Sequence, residues 1–381
     1  MRKSFKFKLY KSKSIKGLHR QINLASSIYN HLIALHKTYY RLFGKYPSKY
    51  EIQKHFTRYK KIKRFRYWND LGSQTIQDIV ERVDRAYRLF FKSLKRCEKR
   101  YRPPSFKKKS KYKSFTLKQC GYKLLDDNKI RIGNRVYKYS KSREIEGKIK
   151  TVTIKRDTLG DVYLFFSCDR VEKPKIERTS TGKIEGFDFG LKTFLTSSTG
   201  EKIRSPQFFK IGSNRVKVAS KIVSSKKKGS NNRRKAVLSF ARVHRKIVNQ
   251  RRDFHFKLTR RLALDFDVIC IETLNIGAMK KLWGRKISDL GFSDFVLILQ
   301  HMCNKLGSTL WQADQFYPSS KTCSYCGWIN ENLSLRDCIW TCQGCQTKHD
   351  RDQNAGMNLK REGASSLGLE SIRPTLLATL V

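Results

Sequence analysis

Acidic side chains are scarce: Asp and Glu number 31 against 83 Lys and Arg, which leaves a net charge of +52 on 381 residues. A folded chain so unbalanced repels itself unless a polyanion neutralises it, and nucleic acid is the commonest such polyanion. At one charge per ~1.7 Å of duplex, +52 would balance roughly 26 base pairs, an extensive footprint rather than one recognition helix. Long apolar runs are also missing. No stretch of about 18 uncharged apolar residues occurs, and the start (Met1, Arg2, Lys3, Ser4, Phe5) lacks a signal peptide's apolar core, so a soluble, intracellular protein without a membrane partner is expected. No repeat of fixed period occurs, and no Tyr or Ser nucleophile motif of a recombinase is evident. What is present argues against disorder, because 39% hydrophobic and 12% aromatic residues suffice to bury a core. The length suits two or three domains.

The hydrophobic period changes along the chain. Phe5–Tyr10 alternates Lys with apolar residues, as a strand with one basic face does. From Leu18 to Phe43, Leu18, Ile22, Ala25, Ile28, Leu32, Leu35, Tyr39 and Leu42 recur at threes and fours, and Gly44 can close the helix. A second helix is expected over Ser73–Leu94, with Ile76, Ile79, Val80, Val83, Tyr87 and Phe90 on one face. Residues 17–98 thus read as a helical module inserted after the first strand. Short alternating runs and turn signals over 102–171 predict an antiparallel β region into which the first strand can pair. After a linker-like segment, 172–183, come strands at Ile184–Gly190 and Lys192–Ser197, a long basic helical stretch over Asn214–Leu264, and a buried strand at Asp267–Ile271. That mixture predicts an α/β domain. Residues 364–381 carry neither caps nor a charge pattern and are expected to form a poorly ordered tail.

Four of the ten cysteines form C-x2-C-x15-C-x2-C: Cys323, Cys326, Cys342 and Cys345. Each pair can bend round one Zn²⁺, with Gly327 and Gly344 supplying the turns, and four thiolates close the tetrahedron, so the ion's role would be structural. Cys338 has the wrong spacing and is read as a bystander. Cys97, Cys120, Cys168, Cys270 and Cys303 are read as packing residues.

Three carboxylates stand at structured boundaries. Asp188 lies in the strand Gly186-Phe-Asp-Phe-Gly190, Glu272 ends the apolar run Val268–Ile271, and Asp352 opens a helix after the cysteine pairs. Converging carboxylates repel one another, and their simplest stable use is to hold hard cations. Two Mg²⁺ ions there would activate a water and stabilise the leaving oxygen of a phosphodiester. Each acid taken alone is more simply structural; Asp352 in particular could cap its helix, although Asp350 could do that too.

The ordered set Gly186-Phe-Asp-Phe-Gly-Leu191, Ile271-Glu-Thr-Leu-Asn275, Pro318-Ser-Ser-Lys-Thr-Cys-Ser-Tyr-Cys-Gly327 with Trp340-Thr-Cys-Gln-Gly-Cys345, and His349-Asp-Arg-Asp-Gln-Asn-Ala-Gly-Met-Asn358 resembles the TnpB family of transposon-encoded RNA-guided nucleases, which look like small relatives of type V CRISPR effectors. The resemblance covers residues 180–362; the N-terminal half is compatible with it but has loose motifs. It implies an α/β plus β architecture: an RNase H-like (RuvC) nuclease domain with an inserted zinc ribbon, preceded by a β-barrel wedge domain carrying a helical recognition insertion. The implied boundaries are 1–16 and 99–180 for the wedge, 17–98 for recognition, 181–317 and 349–363 for RuvC, 318–348 for the ribbon and 364–381 for the tail. Asp188, Glu272 and Asp352 would be the catalytic triad holding two Mg²⁺, and Cys323, Cys326, Cys342 and Cys345 would hold one Zn²⁺. Gly356 departs from the Ala common in the family, at a cost of up to ~1 kcal/mol on a helix.

The resemblance further implies that a guide RNA reads the target by base pairing while the protein reads a short adjacent motif on double-stranded DNA. A monomer in a bacterial or archaeal cytoplasm, associated with the nucleoid, is expected. Ser73, Gln74 and Gln77 could read that motif, since Gln pairs bidentately with adenine; Arg233 and Arg234 suit phosphate contacts; Arg351 would touch the scissile strand. Two alternatives stay open on the residues alone. An RNA-independent transposase or recombinase would join ends rather than free them, and a non-cleaving nucleic-acid-binding protein would tolerate replacement of each acid.

Overall fold

The computed structural model describes residues 2–97, 101–169, 178–334 and 336–369 and divides into two compact units, Met1–Glu172 and Lys173–Val381. Among the described residues no helix is long and apolar enough to cross a membrane.

The first unit opens with β1 (Arg2–Leu9), followed by α1 (Ile15–Phe43), α2 (Lys49–Tyr59), a 3-10 segment (Lys63–Leu71) and α3 (Ser73–Lys95). Then come β2 (Ser114–Leu117), β3 (Tyr122–Leu125), β4 (Lys129–Ile132), β5 (Arg135–Ser140), β6 (Ile149–Arg156) and β7 (Val162–Asp169). The strands form one sheet in the order β2-β6-β7-β1-β5-β4-β3, so the first strand pairs between β7 and β5. Its two edge strands, β2 and β3, are consecutive in the chain and joined by residues 118–121. Seven flat strands would hold those edges ~29 Å apart, whereas the five Cα steps from Leu117 to Tyr122 reach at most ~19 Å. The sheet must therefore curl into a nearly closed barrel. Phe5 and Phe7 of β1, Val152 and Ile154 of β6, and Leu164 and Phe166 of β7 alternate into its core, while Lys6 and Lys8 alternate outward.

In α1, the face Leu18, Ile22, Ala25, Ile28 and Leu32 is buried, and Gly44, at φ 63°, closes the helix with its N–H on the Tyr40 carbonyl. Leu42 lies outside that core, 65% exposed. The segment between the two expected helices is ordered: Ser48 and Glu51 form a reciprocal capping box at the start of α2, and Ile52, Phe56 and Trp68 join the core. Short polar-flanked runs of this kind carry too little periodicity to announce a helix.

The second unit holds β8 (Ile184–Phe189), β9 (Thr193–Ser197), β10 (Lys202–Arg204), α4 (Phe208–Ser224), α5 (Asn231–Asp265), β11 (Val268–Ile271), α6 (Ile276–Leu290), α7 (Phe292–Leu306), β12 (Thr309–Gln312), β13 (Ile339–Thr341), β14 (Lys348–Asp350) and α8 (Arg351–Ser366). The main sheet runs β10-β9-β8-β11-β12, antiparallel from β10 to β8 and parallel from β8 through β12. Both faces are covered, as parallel strands require. Phe187, Phe189, Ile269 and Ile271 pack with α5 and α7, while Val268 and Cys270 pack on the opposite face with Leu359 of α8.

The basic stretch 214–264 is helical as expected, in two pieces, because Gly229, at φ 86°, and Ser230, whose hydroxyl caps Arg233 N–H, break it. Two expectations are corrected. Cys97 and Cys120 are exposed, not packed, whereas Cys168, Cys270 and Cys303 are buried. The chain from 364 to 366 continues α8 and is no tail; residues 370–381 lie outside the described residues. In the segment expected to be a linker, Arg178, Ser180, Thr181 and Gly182 all bond to the Asp267 carboxylate. Burial alone would raise that group, but these donors hold it down at about 2.

Candidate functional site

The register of β8 on β11 aligns Phe187 with Ile271, so the next residue of each strand, Asp188 and Glu272, are neighbours. Period-two alternation sends Phe187, Phe189 and Ile271 into the α5/α7 core and turns Asp188 and Glu272 to the face on which α8 packs. The exit of β11 is fixed by Thr273, whose hydroxyl donates to the Ala313 carbonyl (2.6 Å), and by Asn275, which caps α6 through Ala278 N–H (3.0 Å). Phe189 N–H donates to Glu272 Oε1 at 3.4 Å.

Asp352 arrives on α8. The cap of this helix is Asp350, which accepts from the N–H groups of Asp352 (3.0 Å) and Gln353 (3.2 Å) and pairs with Lys202 (2.7 Å). Asp352 is thereby relieved of capping and faces the two strand-end acids. Burial, then the Glu272 and Asp352 charges, push Asp188 well above the usual carboxylate range. Glu272 is raised to about 7 by burial, opposed by Phe189 N–H and reinforced by Asp352. Arg351 is the cation in this group, with Nη2 3.0 Å from Asp352 Oδ1. Asp188 and Glu272, raised by burial and by neighbouring negative charge, are poorly stable in their ionised form without a metal, and the oxygen donors of this group suit a hard divalent cation.

Beside α8 the four cysteine Sγ atoms lie within 4.8 Å of one another. Cys323–Cys345 and Cys326–Cys342 are each 3.6 Å apart, close to the ~3.8 Å sulfur spacing of a tetrahedron with 2.3 Å metal–sulfur bonds. Thr347 Oγ1 lies 3.2 Å from Cys345 Sγ, and Thr347 holds that thiol down at about 6, whereas burial pushes the Cys323 thiol up to about 12. Cys338 stays outside the cluster, exposed.

The structure adds two sets of residues that the sequence analysis did not single out. His349 Nε2 sits 3.1 Å from Cys323 Sγ, with its ring against Trp340, where it can orient a ligand thiolate from outside. Asn354, Asn358 and Arg361 bind the first cysteine turn to α8. Asn354 accepts from Ser324 N–H (2.9 Å) and donates to the Thr322 carbonyl (2.7 Å); Asn358 donates to the Ser319 (2.8 Å) and Thr322 (2.6 Å) carbonyls; Arg361 reaches the Ser324 carbonyl. Both asparagines are buried, at 1% and 2% exposure. Their i, i+4, i+7 spacing, a polar stripe on a helix, was the available signal.

The nucleic-acid residues fall into two groups. Ser73, Gln77 and Arg234 are exposed. Gln74 accepts from the N–H groups of Gln119 and Cys120 (both 3.1 Å), and Arg233 donates to the Val223 (2.7 Å) and Lys226 (3.0 Å) carbonyls, so both also have local structural work.

Residues 167–282 match the family profile of a probable transposase, OrfB of IS605, and residues 292–359 match the Cas12f1-like TNB domain. A Streptomyces pristinaespiralis protein named provisionally as an RNA-guided DNA endonuclease is 30% identical over 326 residues, 84% of this chain and 78% of that protein. InsQ of Escherichia coli K12, which carries the same name, is 23% identical over 369 residues, 89% of this chain and 87% of its own. The TnpB-like protein L79 of Acanthamoeba polyphaga mimivirus is 31% identical over 230 residues, 56% of this chain and 43% of that protein. With ordered motifs in the second unit and a relative at this identity along most of its length, the chain belongs to the TnpB family.

Proposed function

We propose that the protein is an RNA-guided DNA endonuclease that cuts double-stranded DNA at one RuvC-type site on an RNase H-like fold. The observation that carries this reading is the convergence of Asp188, Glu272 and Asp352 at the edge where β8, β11 and α8 meet. In this assignment the three carboxylates hold two Mg²⁺ ions, which when bound supply an activated water and charge stabilisation of the leaving oxygen. Phe189 N–H orients Glu272. Arg351 is placed to neutralise Asp352 between turnovers and to meet a scissile phosphate. Cys323, Cys326, Cys342 and Cys345 hold one structural Zn²⁺ in a ribbon whose first turn is bonded to α8.

The sequence selected by a guide RNA would be read by base pairing, leaving the protein to bind backbone and shape, a use suited to a net charge of +52. The barrel with its helical insertion would serve as wedge and recognition module, with Ser73 and Gln77 free on α3 to approach the adjacent motif. Reconstitution with RNA, a matched duplex and Mg²⁺ tests the assignment. Free cut ends that disappear in Asp188→Ala are expected; cutting that survives Asp188→Ala, or products with joined ends, would overturn it.

A further inference from the structure

The helical part of the first unit contains a cavity of about 280 Å³ whose lining includes the rings of Tyr40, Tyr46 and Tyr87. Tyr40 of α1 stacks on Tyr46, with centroids 4.8 Å apart and planes 28° from parallel. Tyr46 is held in turn by Tyr87 of α3 (5.2 Å) and by the edge of Phe91 (4.6 Å). Pro103 and Pro104 line the cavity too. The chain that follows them is anchored: Tyr29 Oη donates to the Ser105 carbonyl (3.2 Å), and the Asn30 carboxamide exchanges two 2.9 Å bonds with the backbone of Lys107. The cavity is therefore built before anything enters it.

Two features argue against a purely structural cluster. Tyr40 is 50% exposed and neighbouring Phe106 55% exposed, so these rings are not used to fill a core. Among the described residues that line the cavity the charge is of one sign: Lys37 lines it, with Nζ 4.8 Å from the Phe106 ring, and none of them carries a carboxylate. Apolar planar walls with a cation select a planar aromatic group attached to an anion, and the volume admits one ring system rather than a run of nucleotides.

We propose that this cavity captures one unpaired nucleobase, stacked on the exposed ring of Tyr40, which Tyr46 backs, with the adjoining phosphate at Lys37. The proposal rests on the reading of the chain as a nucleic-acid enzyme and adds to it a site in the helical module, separate from the carboxylates. The base comes from the bound RNA or from a separated DNA strand, and the chemistry is the same in either.

The test is photo-crosslinking of the complete complex in the Asp188→Ala background, with one arm carrying 4-thiouridine in the RNA and the other 4-thiothymidine in the target DNA. A nucleotide adduct on the peptide carrying Tyr40 or Tyr46 is expected in one arm. In that arm Tyr40→Ala should weaken strand binding roughly 5- to 100-fold, and Tyr40→Trp, which keeps a flat ring, should restore it. Adducts that map elsewhere in both arms, an affinity within twofold in Tyr40→Ala, or a loss that Tyr40→Trp does not restore would each overturn the pocket. In those cases guide binding and cleavage by the Asp188-containing protein would leave the endonuclease reading standing. A protein that retains no RNA and cuts no DNA would overturn both.

Discussion

Gly186 of β8 and Gly356 of α8 meet backbone to backbone: a Cβ added at Gly186 would lie 2.0 Å from the Gly356 carbonyl oxygen and 2.6 Å from the Lys360 nitrogen. This crossing lets the helix that carries Asp352 settle onto the strand that carries Asp188. A Cβ at Gly356 would in turn lie 2.9 Å from Ser198 N and 3.1 Å from Ser197 C, so glycine at this position is fitted to the packing.

Gly186→Ala should therefore be the more damaging of the two, costing about 3 kcal/mol or more by forcing the backbones apart. Gly356→Ala gains up to ~1 kcal/mol of helix propensity but must push the 197–198 backbone, for a net loss of about 1 kcal/mol. Urea unfolding of both variants checks the order. A stabilised Gly356→Ala would show that Ser197 and Ser198 yield freely.

The raised carboxylates make a stability prediction separate from catalysis. Glu272 has a folded value of about 7, above its ordinary 4.5, so the folded state holds more protons than the unfolded one between those values. Magnesium-free protein should lose stability as pH rises through that window. Glu272→Gln should reduce this slope, leaving the part that the raised Asp188 carries, and stabilise the metal-free protein at pH 8 by about 2 kcal/mol, while abolishing cleavage. Thermal melts with zinc retained and magnesium omitted read the effect, and an unchanged slope in Glu272→Gln would contradict it.

Buried histidines act with the opposite sign. His36, in the first unit, and His255, in the second, are pushed down to about 4, chiefly by burial. His55 is also lowered to about 4, by burial and then by the charge of His31. Below pH 6.5 the unfolded chain binds protons that the fold refuses, so stability falls as pH drops from 6.5 towards 4. His36→Phe should flatten that acid limb by about 2 kcal/mol, read from denaturant midpoints at pH 4.5 and 7.5.

Much of this was legible in the residues. The carboxylates and cysteines could be found because each sits at a break in a pattern: Glu272 after four apolar residues, the cysteines in paired turns. The α1 face could be found because Leu18 to Leu32 repeats over four turns. The cap at Asp350 is one of two readings open for that helix start, and the asparagine stripe marks a polar helix face; what the stripe binds and the thiol contact of His349 could not be found. Each is a bond between elements whose approach is set by tertiary packing, and one-dimensional periodicity contains no such term. Cys97 and Cys120 were misread for a related reason, since a cysteine's neighbours in sequence do not state which way its side chain turns.

The clamp predicts that the ribbon positions Asp352. Asn354→Ala or Asn358→Ala leaves buried backbone groups of the 319–324 turn unpaired, at a cost of about 1–3 kcal/mol each. Both variants should retain one zinc per chain by atomic absorption yet require several-fold more Mg²⁺ for half-maximal cleavage. Loss of zinc from either variant would mean that the asparagines support the ribbon rather than the acid.

The most direct test of the central claim is to purify the protein from cells carrying its native locus, sequence the RNA that stays bound, and replace the end of that RNA which matches DNA with an unrelated sequence. The account predicts one discrete RNA and a cut that moves to duplexes matching the new sequence. Heterogeneous or absent RNA, or cutting that ignores the replaced sequence, would contradict it.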